Sequence, residues 1–232
     1  MAIGKLKQED FKKIREATNQ SSTRILSTGA NEMSLLITFL ENNQDLREPI
    51  RKSLINYAII RYVSLVECYF KNHVRNIIDK MKISPKIFFE NDDITIPLSL
   101  LDEISKDENF TAGNIIAEKI NFQNLDNINS KMSNVYGLKY FDEIEKLSMK
   151  KKISTYQTKF QKKNLYELFQ LRHRLVHKMA DANEVDLTKL RLYHATVMQF
   201  LVLAGIIFYQ EKSKRLQKRI SKLMKETNFQ AT

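Results

Sequence analysis

The sequence predicts an all-α protein: a helical bundle with two long helices, a shorter motif helix and an inserted group of short helices. Three observations lead there. Only 5 glycines and 3 prolines occur in 232 residues, too few to punctuate a turn-dense all-β architecture. Apolar residues recur at spacings of three and four over long stretches, the period of a helix with one buried face. Finally, 43% of the residues are hydrophobic, enough for a sizeable core. The chain reads as a single domain over 1–232. Residues 1–45 form N-terminal helices, 83–150 a loop and short-helix insert, and 210–232 a basic helix end.

The elements follow in order. From Lys5 to about Asn43 the pattern is helical, with a break expected near Gly29. A long helix starts around Arg47-Glu48-Pro49, where proline suits the first turn. It continues through Ile55, Ile59, Val63, Val66, Phe70, Val74 and Ile77 to about Met81. Pro85 and Pro97 bracket a loop. Between Leu98 and Met149, short helical patterns are separated by turn signals at Asp107-Glu108-Asn109, Gly113, Asn121 to Asn124, and Gly137. The run Lys150-Lys151-Lys152 opens a basic connection to a helix from about Lys163 to Met179. After a turn at Asp181-Ala182-Asn183, a last long helix begins near Val185. It is apolar through Tyr209 and then basic, at Lys212, Lys214, Arg215, Lys218, Arg219, Lys222 and Lys225. Those charges surround most of the circumference, unlike an amphipathic membrane anchor. A solvated helix end and an RNA-contacting arm are both open readings of them.

Composition restricts function. The 38 Lys+Arg against 27 Asp+Glu give a formal charge of +11, which favours polyanionic partners through counterion release. A lysine-rich compositional bias is the plain alternative. The single cysteine, Cys68, excludes an intrachain disulfide framework and, lying in an apolar run, reads as a buried, inert thiol. The N-terminal MAIGKLKQEDFKK has no apolar signal region. The longest apolar stretch, Ala195 to Tyr209, contains Gln199 and reads as too short for a membrane span. A cytoplasmic protein without membrane association is expected. No glycine-rich phosphate loop or nucleophile-elbow motif occurs.

The informative stretch is NLYELFQLRHRLVHK, Asn164 to Lys178. On a helical wheel at about 100° per residue, Leu165, Leu168, Leu171, Leu175 and Val176 form the core stripe, with Phe169 at its margin. His173 and His177 are one turn apart on a face directed away from that stripe, toward solvent, a ligand or a second subunit. Arg172 falls within the stripe, and a permanently charged guanidinium needs a partner there. Glu67, within the apolar stripe of the long helix, is the expected partner. Such a Glu67–Arg172 pair would lock the two helices together, with a direct role for Glu67 in catalysis as the other possibility. The histidine spacing also suits zinc, but Arg174 stands where zincin chemistry needs a glutamate, and flanking arginines repel a cation. His73 and His194 belong to no cluster and read as surface or packing residues.

Arg172-His173-x3-His177 resembles the R-polar-x3-H pattern of the HEPN superfamily. Val63 to Asn76, with its embedded Glu67, resembles the long second helix of those domains. Ala117 to Leu125, followed by Tyr136-Gly137-Leu138-Lys139-Tyr140-Phe141, is similar to the insert of the RiboL-PSP-type branch. The resemblance covers roughly Asn56 to Phe208 and implies an all-helical homodimer, or higher homo-oligomer, whose motif helices meet at a shared cleft. It implies a metal-independent endoribonuclease that needs no cofactor and acts in toxin–antitoxin, phage-defence or RNA-processing systems. An antitoxin or defence-system protein is then a possible partner. Arg172 and His177 would be catalytic, with His173 in the variable polar position and Glu67 in support. Arg174, Lys178, Lys150, Lys151 and Lys152 are, from their charge, candidates for contacts to the RNA backbone, with exposed solvated charge as the commoner explanation. Some HEPN domains are non-catalytic, so a helical dimer that binds RNA, nucleotide or a partner protein is the alternative.

Overall fold

A computed structural model describes residues 22–89, 111–150, 160–177 and 185–229. Among these the regular structure is entirely helical: α1 (Ser22–Asn42), α2 (Glu48–Asp79), a single 3-10 turn (Pro85–Phe88), α3 (Ala112–Lys119), α4 (Leu125–Tyr136), α5 (Tyr140–Lys150), α6 (Lys162–His177) and α7 (Leu187–Phe229). The expected residues 5–21, the later part of the Pro85–Pro97 loop, the turn at Asp107 to Asn109 and the Asp181 to Asn183 turn lie outside the described residues. So do Lys151, Lys152 and Lys178.

The central element is α2. Pro49 stands in its first turn and fourteen of its residues are buried. It packs against α1, α3, α6 and α7. Glu32 fixes α1 to it by accepting from Arg61 Nε at 3.0 Å and Nη2 at 2.8 Å. Gly29 does not break α1 as expected. It lies inside that helix, where a Cβ would come within 2.5 Å of Leu65 Cδ1, so glycine makes room for the Leu65 side chain.

The insert docks on the far end of α2. Asp79 accepts from Thr111 Oγ1 and from the Gly113 N–H at 3.1 Å. Gly113, expected in a turn, is therefore in the first turn of α3, where a Cβ would meet the Asp79 carboxylate at 2.7 Å. The expected turns at Asn121–Asn124 and Gly137 are present. Asn124 caps α4, and Gly137 ends it with φ +65°, a left-handed conformation suited to glycine.

α7 closes the bundle against α1, α2, α5 and α6. Phe200 of this helix packs on Phe70, Phe141 and Phe160 at centroid distances of 5.5, 5.7 and 5.8 Å. Because α7 extends beyond Ala195 to Tyr209, its Leu187–Arg215 stretch is, by length and composition, long and apolar enough to cross a membrane, contrary to the sequence expectation. Burial against four helices accounts for that composition here. At the end of that stretch Lys214 pairs with Glu211, and Arg215 Nη2 donates to the Val135 carbonyl at 3.2 Å.

Two histidines serve packing. His73 is buried on α2, hydrogen-bonded to Tyr136 Oη at 2.6 Å, and burial lowers its pKa to about 3. His194 is partly buried against the Tyr62 ring, and burial lowers its pKa as well. Cys68 departs from expectation: it is exposed, although burial of its surroundings and the Glu67 charge raise its pKa. It faces outward from α2 between the buried Val66 and Tyr69.

Candidate functional site

The buried stripe of α6 consists of Leu165, Leu168, Phe169 and Leu171, and holds this helix on α2 and α7. The stripe is shorter than the wheel suggests: Leu175 is half-buried and Val176 is 42% exposed, so the last turn of α6 leaves the core. That turn carries the motif. His173, Arg174 and His177 are exposed and Arg172 is half-buried. The rings of His173 and His177 lie 4.6 Å apart, tilted by 44°.

All four of these residues line an open groove of about 890 Å³. Lys150 is exposed at the end of α5 and is not among the groove residues. Arg172 and His177, predicted to act together, are thus brought to one groove.

The expected Glu67–Arg172 ion pair does not form. Lys71 Nζ is 3.1 Å from Glu67 Oε1, and Gln123 Nε2 donates to Glu67 Oε2 at 3.0 Å, so nearer partners occupy both oxygens. Lys71 also reaches Glu118 Oε2 at 2.7 Å. Burial works against the Lys71 charge, but the two carboxylates outweigh it and raise its pKa. Glu67 therefore ties α2 to the insert rather than to α6.

Arg172 is left with a buried Nε that has no hydrogen-bond partner among the described residues. Burying an unsatisfied donor costs about 1–3 kcal/mol, and more for a charged group. An anion in the groove would relieve that cost, and guanidinium groups suit phosphate oxygens in geometry and charge.

The other wall was not anticipated as part of the site. It comes from the insert loop between α3 and α4, where Asn121, Gln123 and Asn124 line the groove. Tyr166 of α6 also lines it and donates to Asp126 Oδ1. Burial and that hydrogen bond raise the Tyr166 pKa to about 12, so its phenol stays protonated at neutral pH. Glu167 is tied to Lys189 of α7 at 2.9 Å. A periodic signal for this face was present, since Tyr166, Gln170, His173 and His177 follow one another at spacings of four, three and four. The insert residues carry no comparable signal.

Chemically, the groove offers imidazoles with ring nitrogens that can donate or accept, a guanidinium with spare donors, and amides able to recognise polar ligands. Among the described residues, no group of three or more His, Cys, Asp or Glu side chains is placed to hold a metal ion. No family model, no curated protein and no solved structure matches the chain.

Proposed function

We propose that this chain is a metal-independent endoribonuclease of HEPN type, acting as a cytoplasmic homodimer in toxin–antitoxin or phage-defence systems. The observation that carries this reading is the convergence of Arg172, His173 and His177 on one polar groove, with the Arg172 Nε unpartnered among the described residues. The motif resemblance and the formal charge of +11 support it independently.

In the proposed reaction the ribose 2′-OH attacks the adjacent phosphorus and the 5′-oxygen leaves. A base takes the 2′-OH proton, an acid protonates the leaving oxygen, and arginine holds the phosphate oxygens as negative charge builds. The products are a 2′,3′-cyclic phosphate and a 5′-OH. Base and acid stand on opposite sides of the phosphorus in an in-line displacement. His173 and His177, packed ring against ring in one chain, serve one side of it. The second proton-transfer group then comes from the His177 of a second copy, which gives the homodimer a chemical reason. Arg174 contributes to backbone binding from the same helix.

Expression in cells tests the reading. Wild type is expected to slow growth and degrade RNA, while Arg172→Ala and His177→Ala do neither. Equal behaviour of all three would instead favour a non-catalytic helical dimer that binds RNA or a partner protein.

A further inference from the structure

We propose that the Asn121–Asn124 loop reads a base, and that it selects a pyrimidine beside the phosphate held by Arg172; this rests on the nuclease reading for RNA as the occupant. The loop is held from within. Phe122 and Leu125 are fully or almost fully buried, Phe122 against Phe70, while Asn121, Gln123 and Asn124 remain exposed and line the groove. A polar wall anchored in this way keeps its shape while bases are exchanged in front of it.

The orientation of each amide is fixed by a partner whose chemistry runs one way. Asn121 Oδ1 accepts from the Gln123 N–H at 2.9 Å, and Asn124 Oδ1 accepts from the Asp126 N–H at 2.8 Å. A backbone N–H only donates, so in both cases the amide oxygen must face it. Gln123 is held the other way round, with Nε2 donating at 3.0 Å to Glu67, a carboxylate salt-bridged to Lys71 and therefore acceptor only. What remains without a partner among the described residues is the Nδ2 of Asn121, the Nδ2 of Asn124 and the Oε1 of Gln123. The wall presents two donors and one acceptor.

Unstacked bases of single-stranded RNA are read on their Watson–Crick edges. Uracil offers acceptor, donor, acceptor; cytosine offers donor, acceptor, acceptor. Each therefore carries two acceptors and one donor, in a different order, against the two donors and one acceptor of the wall. Guanine offers one acceptor and two donors, so an amide NH2 of the wall would face an N–H. Adenine offers one donor and one acceptor and leaves one amide idle. Glu67 acts here as a positioning residue, because its carboxylate determines which end of Gln123 faces the groove.

The test is binding, by fluorescence anisotropy, of short 2′-fluoro oligonucleotides, which lack the attacking hydroxyl. The strands are all-adenine except for one central nucleotide, varied among U, C, A and G. The wild type is expected to bind the U and C strands about tenfold more tightly than the G strand, the discrimination typical of a well-paired base edge. Gln123→Leu should flatten that ratio. Asn124→Asp keeps the cap on α4 but replaces a donor by an acceptor, and should move the preference toward G. Absence of any base preference in the wild type, or a pyrimidine preference unchanged in both variants, would overturn the inference. Cleavage of ordinary RNA is scored separately. A chain that cuts RNA with no pyrimidine preference overturns the base-reading wall and leaves the nuclease standing. A chain with the preference but no cleavage supports the wall and removes the nuclease.

Discussion

His173 and His177 lie one turn apart on the exposed face of α6 with their ring centroids 4.6 Å from each other. The contact restricts the rotamers open to His177, so in the proposed reaction His173 would act by positioning and His177 by moving a proton. General acid–base groups typically contribute about 10²–10⁴-fold. His177→Ala should therefore slow cleavage of a fluorescent RNA at least about a hundredfold. His173→Ala should cost about tenfold or less, on the order of a restricted-rotamer effect. His173→Phe, which keeps a ring but no proton, should restore most of that loss. A rate for His173→Phe as low as for His177→Ala would assign a proton-transfer role to both rings.

Arg172 illustrates a conflict between stability and function. Its buried Nε has no partner among the described residues, and the anticipated lock with Glu67 is absent. Replacing it by methionine removes an unsatisfied donor and keeps the apolar stem. Arg172→Met should leave thermal stability unchanged or raise it by about 1 kcal/mol, or about 2–4 °C in Tm. It should abolish cleavage at the same time. A fall of several degrees in differential scanning fluorimetry would mean that Arg172 is a structural residue after all.

Gly113→Ala gives a result opposite to helix propensity. In an exposed helix, glycine to alanine stabilises by about 1 kcal/mol. Here the new methyl would meet the Asp79 carboxylate at 2.7 Å and disturb its bonds to Thr111 and the Gly113 N–H. The change should destabilise by about 1–3 kcal/mol in urea titration, through overpacking and a disturbed half-buried carboxylate. A stabilised variant would contradict this account of how the insert is docked.

His73 links stability to acid. Its folded pKa is about 3, against 6.5 in the unfolded chain. Above pH 6.5 both states are neutral at this site, and the stability is fully present. As pH falls from 6.5 toward about 3, the unfolded chain binds a proton that the folded chain refuses, and stability is lost. The slope from this residue approaches about 1.4 kcal/mol per pH unit. The lowered pKa of His194 acts in the same direction. Urea titrations at pH 7, 6 and 5 should show the loss, and His73→Gln should reduce its slope.

Long-range periodicity made the helical frame legible. The repeat from Ile55 to Ile77 gave α2 nearly to its ends, and the wheel placed His173 and His177 on the open face of α6. Features that depend on one element touching another were not legible. Gly29 reads as a breaker until Leu65 is seen against it, and Gly113 reads as a turn until Asp79 is seen beneath it. The Glu67 partners were half-legible: Lys71 is its i+4 neighbour, but Gln123 arrives from an insert 56 residues later. The amide wall was missed for the same reason, since hydrogen bonds across a groove leave no local periodicity.

The most direct test is to incubate the purified chain with an RNA oligonucleotide in excess EDTA and determine the chemistry of the new ends by mass spectrometry. The expected outcome is cleavage to a 2′,3′-cyclic phosphate and a 5′-OH, lost in both Arg172→Ala and His177→Ala. Intact RNA with the wild type, or cleavage that persists in those variants, would contradict it.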